Sequence, residues 1–143
     1  VTIGDGIEFV KRVRGEYDVI IVDSTDPIGP AVGLFKAEFY RDVAGALAED
    51  GLFVAQTESP FFDAPLLGEI HRSLREIFPV VRLCLFSVPT YPGGLWTLSL
   101  GSKRHDPLTC PLERARGLAT RYYSPEVHRA SFVLPPFVQR ILE

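Results

Sequence analysis

Asp23 and Asp26 are the residues in this chain best placed to do chemistry. They stand three apart in Tyr17–Ala31, YDVIIVDSTDPIGPA, directly after the apolar run Val19–Val22. A short β-branched run without alternation is the pattern of a strand buried on both faces. A carboxylate just past such a strand sits at the carboxyl edge of a parallel sheet, where open α/β folds keep their ligands. Two acids on a loop stiffened by Pro27 and Pro30 can both turn toward one cation. The same letters also fit a βα loop in which Ser24, Thr25 and Asp26 only cap turns. A second polar cluster, Gln56, Thr57 and Glu58, follows the apolar run Leu52–Gln56 and is expected at the same sheet edge. His71, His105 and His128 are scattered, and no zinc or other metal site is expected from their spacing.

The elements that must hold these residues follow from periodicity. Val1–Ile3 reads as a strand stub and Gly4–Gly6 as a tight turn. Apolar residues at helical spacing predict a helix over Ile7–Arg14, ending near Gly15. A strand over Asp18–Asp23 comes next. The helix Lys36–Glu49 places Phe39, Val43, Ala46 and Leu47 on one face, and Asp50-Gly51 supplies its stop. After the strand Leu52–Gln56, Asp63 is expected to N-cap a helix running to about Phe78. Strands follow at Val80–Val88 and Leu95–Gly101. So few residues join them that the pair must be antiparallel. His105–Pro111 reads as a linker, Ser124-Pro125-Glu126 as a helix start, and another short helix should follow Pro135-Pro136. Trp96, Phe61 and Phe62 are expected in the core or an interface, and His128 in a structural role.

Composition narrows the class. The chain has 143 residues, 46% hydrophobic and 23% charged, with a net charge of −3, which describes one globular domain. Without a basic cluster, nucleic acid is a poor partner, while mild acidity suits a cationic ligand. Cys84 and Cys110, with no paired spacing, read as reduced thiols of a cytoplasmic protein. No apolar stretch reaches the roughly 20 residues of a membrane span. The sequence starts in mid-pattern and holds no methionine, so a fragment of a longer chain is expected.

Several strings, in order and over nearly the whole chain, resemble the spermidine synthases and aminopropyltransferases more widely. They are Gly4-Asp5-Gly6 with Phe9, the whole of Tyr17–Ala31, and Leu34-Phe35 with Phe39-Tyr40. Gln56-Thr57-Glu58-Ser59, Thr90-Tyr91-Pro92-Gly93-Gly94 and Tyr122–His128 with Phe132–Pro135 complete the set. The resemblance implies a partial Rossmann-like, class I methyltransferase-type α/β domain in three layers, with an antiparallel last strand. It also implies that residues 1–104 are the C-terminal part of that domain and that 105–143 form a helical tail packed on it. The family's N-terminal β domain, its glycine-rich G-G-G-D-G loop and the ribose-holding acid after the second strand have no counterpart here. The missing first strand would lie beside Asp18–Asp23, leaving that strand as a bare edge.

The family reaction moves an aminopropyl group from decarboxylated S-adenosylmethionine to putrescine, giving spermidine and methylthioadenosine. The sulfonium donor is a co-substrate, and neither a cofactor nor a metal is implied. By the resemblance, Asp23 is the base, with partial burial expected to raise its pKa or water to take the proton onward. Asp26 pairs with the diamine, and Ser24, Gln56 and Tyr91 line the amine channel. Glu58 is an acid near the site without an assigned role. Asp5 and Gly6 would contact the donor's adenine, and Pro30 and Ala31 the other side of that base. Turn capping by Asp5, Gly6, Pro30 and Ala31, strand capping by Gln56 and simple packing by Tyr91 are the alternatives. The partners implied are a polyamine substrate, the nucleoside sulfonium donor and further copies of the chain in a dimer or tetramer. An amine N-methyltransferase, an aminopropyltransferase for another amine, or a non-catalytic assembly module remain open on the same residues.

Overall fold

The computed structural model describes residues 1–143. Its centre is a four-stranded sheet of β1 (Tyr17–Val22), β2 (Leu47–Gln56), β3 (Val80–Ser87) and β4 (Leu95–Ser102), in the order β1-β2-β4-β3. β1 and β2 are parallel, and β4 runs antiparallel to both of its neighbours. The short Val88–Gly94 connection returns the chain antiparallel, as its length requires. It also inserts the last strand between β2 and β3.

Helices α1 (Gly6–Val10), α2 (Ala37–Ala46) and α3 (Ala64–Ile77) build the main core against one face. Phe39, Tyr40 and Val43 of α2 and Ile70 and Leu74 of α3 close over Phe53 and Ala55 of β2. The Phe53 ring lies 5.7 Å from Tyr40 and stacks on Phe78 at 6.2 Å. Gly101 of β4 admits this stack, since a Cβ there would stand 2.5 Å from the Phe78 ring. α4 (Pro125–Ser131), N-capped by Ser124, lies against β3, and Val138 of α5 (Pro136–Ile141) packs with Leu67 of α3 and Leu83 of β3. His128 is tied into this tail, its Nε2 2.9 Å from the Pro107 carbonyl oxygen and its Nδ1 3.2 Å from the Tyr123 hydroxyl.

Five expectations need correction. Val1–Ile3 forms no strand, because the β1 edge has β2 as its sole ladder partner. α1 stops at Val10 rather than Arg14: the Arg14 guanidinium folds back to the carbonyls of Val10 and Val13, and Gly15 turns the chain at φ +64°. β1 is buried on one face only. Ile20 and Val22 pack on the core, whereas Val19 and Ile21 are 48% and 73% exposed. α2 ends at Ala46, three residues short of Glu49, because Leu47 is drawn into the sheet opposite Tyr17. Pairing resumes at Val19 and Leu52, so Ala48–Gly51 bulges outward. Finally, Asp63 precedes α3 without capping it; its side chain makes no bond to the helix.

Candidate active site

Three segments converge at the carboxyl end of β1 and β2. The first leaves β1 at Asp23 and turns through Asp26, whose carbonyl accepts from the Ile28 amide at 2.7 Å. Gly29, at φ +57°, then opens the 3₁₀ segment Gly29–Phe35. The second leaves β2 at Gln56. The third is the Val88–Gly94 loop, closed by amides of Tyr91 and Gly94 bonding to the carbonyls of Val88 and Tyr91. It sets the Tyr91 ring 4.8 Å from that of Trp96.

Together they enclose a cavity of about 690 Å³ lined by Asp23, Ser24, Thr25, Asp26, Ile28, Gln56, Tyr91, Pro92 and Trp96. A second hollow of about 400 Å³ shares Asp26, Ile28, Pro92 and Trp96 with the first and adds Pro27, Glu58, Ser59, Phe62 and Asp63. Four carboxylates and no basic side chain line the pair. Such a wall recognises a cation, and the aromatic faces of Tyr91 and Trp96 favour an alkylammonium chain.

The carboxylates differ in setting. Asp23 and Asp26 are exposed, so the partial burial expected for Asp23 is not found. It falls on Glu58, which is 3% exposed. Burial pushes the Glu58 carboxyl above its ordinary range; the charges of Asp26 and Asp63 push the same way, and the Gln56 side chain opposes them. Glu58 is also the one residue other than glycine at positive φ, +70°. A left-handed glutamate costs about 1–3 kcal/mol, a strain that clusters at functional sites. Gln56 Oε1, Glu58 Oε1 and Trp96 Nε1 are buried without a hydrogen-bond partner. Polar atoms left this way are expected to find partners in a ligand or water.

The structure thus brings Asp23, Ser24, Asp26, Gln56 and Tyr91 to one cavity. Asp5 and Gly6 stand apart. The Asp5 carboxylate accepts the amides of Ile7 and Glu8 at 2.8 and 3.3 Å as the N-cap of α1. Gly6 and Asp23 line a common apolar groove along β1 with Phe9, Tyr17 and Leu34. Pro30 and Ala31 open the 3₁₀ segment and line neither acidic cavity. Trp96 and Phe62, expected in the core or an interface, both line the site, although Trp96 is also buried. Phe61 instead stacks on Phe137 at 5.1 Å. Sequence reasoning missed the weight of Glu58 and Asp63; the signal was a carboxylate two residues past the end of a buried strand.

Known proteins place the chain. A polyamine aminopropyltransferase of Moorella thermoacetica is 64% identical over 139 residues, matching 97% of this chain and 49% of its own length. One of Caldicellulosiruptor saccharolyticus is 55% identical, over 100% of this chain and 51% of its own. A spermidine synthase crystallised with the transition-state analogue AdoDATO superposes with a TM-score of 0.94 at 42% identity, over 99% of this chain and 50% of that one. The spermidine synthase of Thermotoga maritima gives 0.90 at 42% identity, over 98% and 48%. The chain therefore spans about half the length of the relatives it matches. The spermine/spermidine synthase domain model matches residues 1–110, and the chain belongs to that family.

Proposed function

We propose that these residues form the amine-acceptor side of an aminopropyltransferase site that acts on putrescine. The observation that carries this reading is the pair of joined cavities walled by Asp23, Asp26, Glu58 and Asp63 with no basic side chain. Aliphatic diamines are dications at neutral pH, since each alkylammonium has a pKa of about 10. Acids at both ends of a slot fit such a ligand, with Asp23 at one end and Asp26 and Glu58 at the other.

The chemistry asks for little beyond placement. The donor, decarboxylated S-adenosylmethionine, carries a sulfonium that is already a good leaving group. Asp23 accepts a hydrogen bond from the attacking nitrogen and takes the proton that frees its lone pair. That pair forms a bond to the aminopropyl carbon beside sulfur. The carbon–sulfur bond breaks with its electrons going to sulfur, giving neutral methylthioadenosine and spermidine. Asp26 and Glu58 hold the far ammonium, while Ser24, Gln56, Tyr91 and Trp96 confine the chain between them. Asp5 and Gly6 face the donor's adenine from α1, with Pro30 and Ala31 across the base. Residues 105–143 pack as a tail on the same domain, and the protein works in the cytoplasm as a dimer or tetramer.

The test joins this chain to the portion of the Moorella relative that it does not cover. Putrescine-dependent release of methylthioadenosine should appear and should vanish in Asp23→Asn. Near-parental turnover in that variant would overturn the role of Asp23. Faster consumption of ordinary S-adenosylmethionine than of its decarboxylated form would point to amine N-methylation instead.

A further inference from the structure

A chain of buried hydroxyls, on residues that line neither acidic cavity, reaches the backbone of one residue that does. Thr57, Thr97 and Ser99 are each 0% exposed. The Thr97 hydroxyl stands 3.0 Å from the carbonyl oxygens of both Thr57 and Glu58. It is also 2.9 Å from the Thr57 hydroxyl, which in turn is 2.9 Å from that of Ser99.

The direction of this chain follows from counting protons. Carbonyl oxygens only accept, and Thr97 has one hydroxyl proton, so that proton is shared between the two carbonyls. Thr97 must then accept from Thr57, and Thr57 from Ser99. The result is a one-way relay, Ser99 to Thr57 to Thr97 to the backbone, and each donation strengthens the next. It ends on the carbonyl of Glu58, which also accepts the Thr97 amide at 3.0 Å. This is the residue held at φ +70°.

We propose that Thr97 is a positioning residue for the amine site: its hydroxyl, oriented by Thr57 and Ser99, clamps the Thr57 and Glu58 carbonyls and fixes Glu58 in the conformation that turns its carboxylate to the cavity. The claim rests on the amine-binding reading above. Two observations support it independently. Left-handed backbone persists in a glutamate only where surrounding bonds over-determine it. Glu58 Oε1 is buried without a partner, which leaves the Gln56 side chain as the carboxyl's neighbour and puts most of its placement on the backbone that carries it.

Thr97→Val keeps the shape and deletes the hydroxyl; Thr97→Ser restores it. In the joined enzyme, Thr97→Val should raise the putrescine KM about tenfold, the weight of one hydrogen bond. The donor KM and kcat should stay unchanged, and Thr97→Ser should return the parental value. Equal losses for both substrates, or no rescue by serine, would overturn the proposal. A second readout needs no catalysis: the carboxyl carbon-13 titration of Glu58 in the 143-residue chain. Its midpoint should move down toward the ordinary carboxylate range in Thr97→Val and hold in Thr97→Ser. An unmoved midpoint would overturn the clamp, whereas absent aminopropyl transfer in the parent would overturn only the functional reading. If Thr97→Val does not fold, Ser99→Ala serves in its place; a smaller shift in the same direction is expected, and none would count against the relay.

Discussion

Two stretches leave the sheet at the same edge and are built in opposite ways. Asp23–Ile28 departs from β1, an edge strand, and its two acids are exposed on a loop shaped by Pro27 and Gly29. Gln56–Ser59 departs from β2, which has a neighbour on each side, and Thr57, Glu58 and Ser59 are almost wholly buried. The first stretch is free to respond to a ligand and costs the fold little. The second is fixed by hydroxyl bonds, and its acid is uncomfortable when charged. On the proposed reading one side supplies reactivity and the other geometry, so substitutions should affect activity and stability differently on the two.

The largest separation should come from Asp23→Asn. Loss of a general base, the role proposed for Asp23, costs about 10²–10⁴ in rate, and at an exposed side chain the melting temperature should stay near the parent's. A large fall in melting temperature would mean that the β1 loop carries structure after all.

Next comes a buried group that lines neither acidic cavity. His71 is 2% exposed on α3, and burial lowers its pKa from 6.5 to about 4, with Arg75 adding to the effect. A folded pKa below the unfolded one favours the neutral ring. Its contribution is therefore intact above pH 6.5 and lost as pH falls toward 4. The loss should be on the order of 3 kcal/mol. His71→Leu should flatten that part of the stability curve, read by thermal melts across the range.

Glu58 should run the other way. Its folded pKa is raised above 4.5, so its contribution is intact below that value and lost as pH climbs through the acid range. Glu58→Gln should melt higher than the parent at neutral pH and bind putrescine about tenfold more weakly, the scale of a lost charge-assisted bond. Asp26→Asn should weaken binding without the gain in stability, because Asp26 is exposed.

How much of this the sequence carries depends on what kind of cause is at work. Periodicity found α1 to α3 and the four strands, since the stripes of α2 and α3 and the apolar run of β1 are local signals; proline starts marked α4 and α5, and the 3₁₀ segment Gly29–Phe35 was missed. Asp23 and Asp26 of the proposed amine site were visible in Tyr17–Ala31 because residue type and loop position suffice there. What escaped depended on long-range pairing. The strand order puts β4 between β2 and β3, and only then do Thr97 and Ser99 come under Thr57. Trp96 read as core because burial and cavity lining are not exclusive. Val19 and Ile21 read as buried because an apolar run does not say whether one or both faces of its strand are covered.

The smallest expected effect separates two aspartates that look alike in sequence. Each precedes a helix, and each reads as turn or cap chemistry. Asp5 caps α1 through two amide bonds, at 2.8 and 3.3 Å. Asp63 makes none to α3, whose first turn contains Pro65, and its carboxylate lines the second hollow beside Glu58. An N-cap replaced by alanine costs about 1 kcal/mol, so Asp5→Ala should lose that much by denaturant unfolding. Asp63→Ala should stay within about 0.5 kcal/mol, and removing its charge should ease the ionisation of Glu58, the direction set by like-charge repulsion. If Asp63→Ala instead loses as much as Asp5→Ala, then Asp63 caps α3 in solution. The acidic wall would then shrink to Asp23, Asp26 and Glu58.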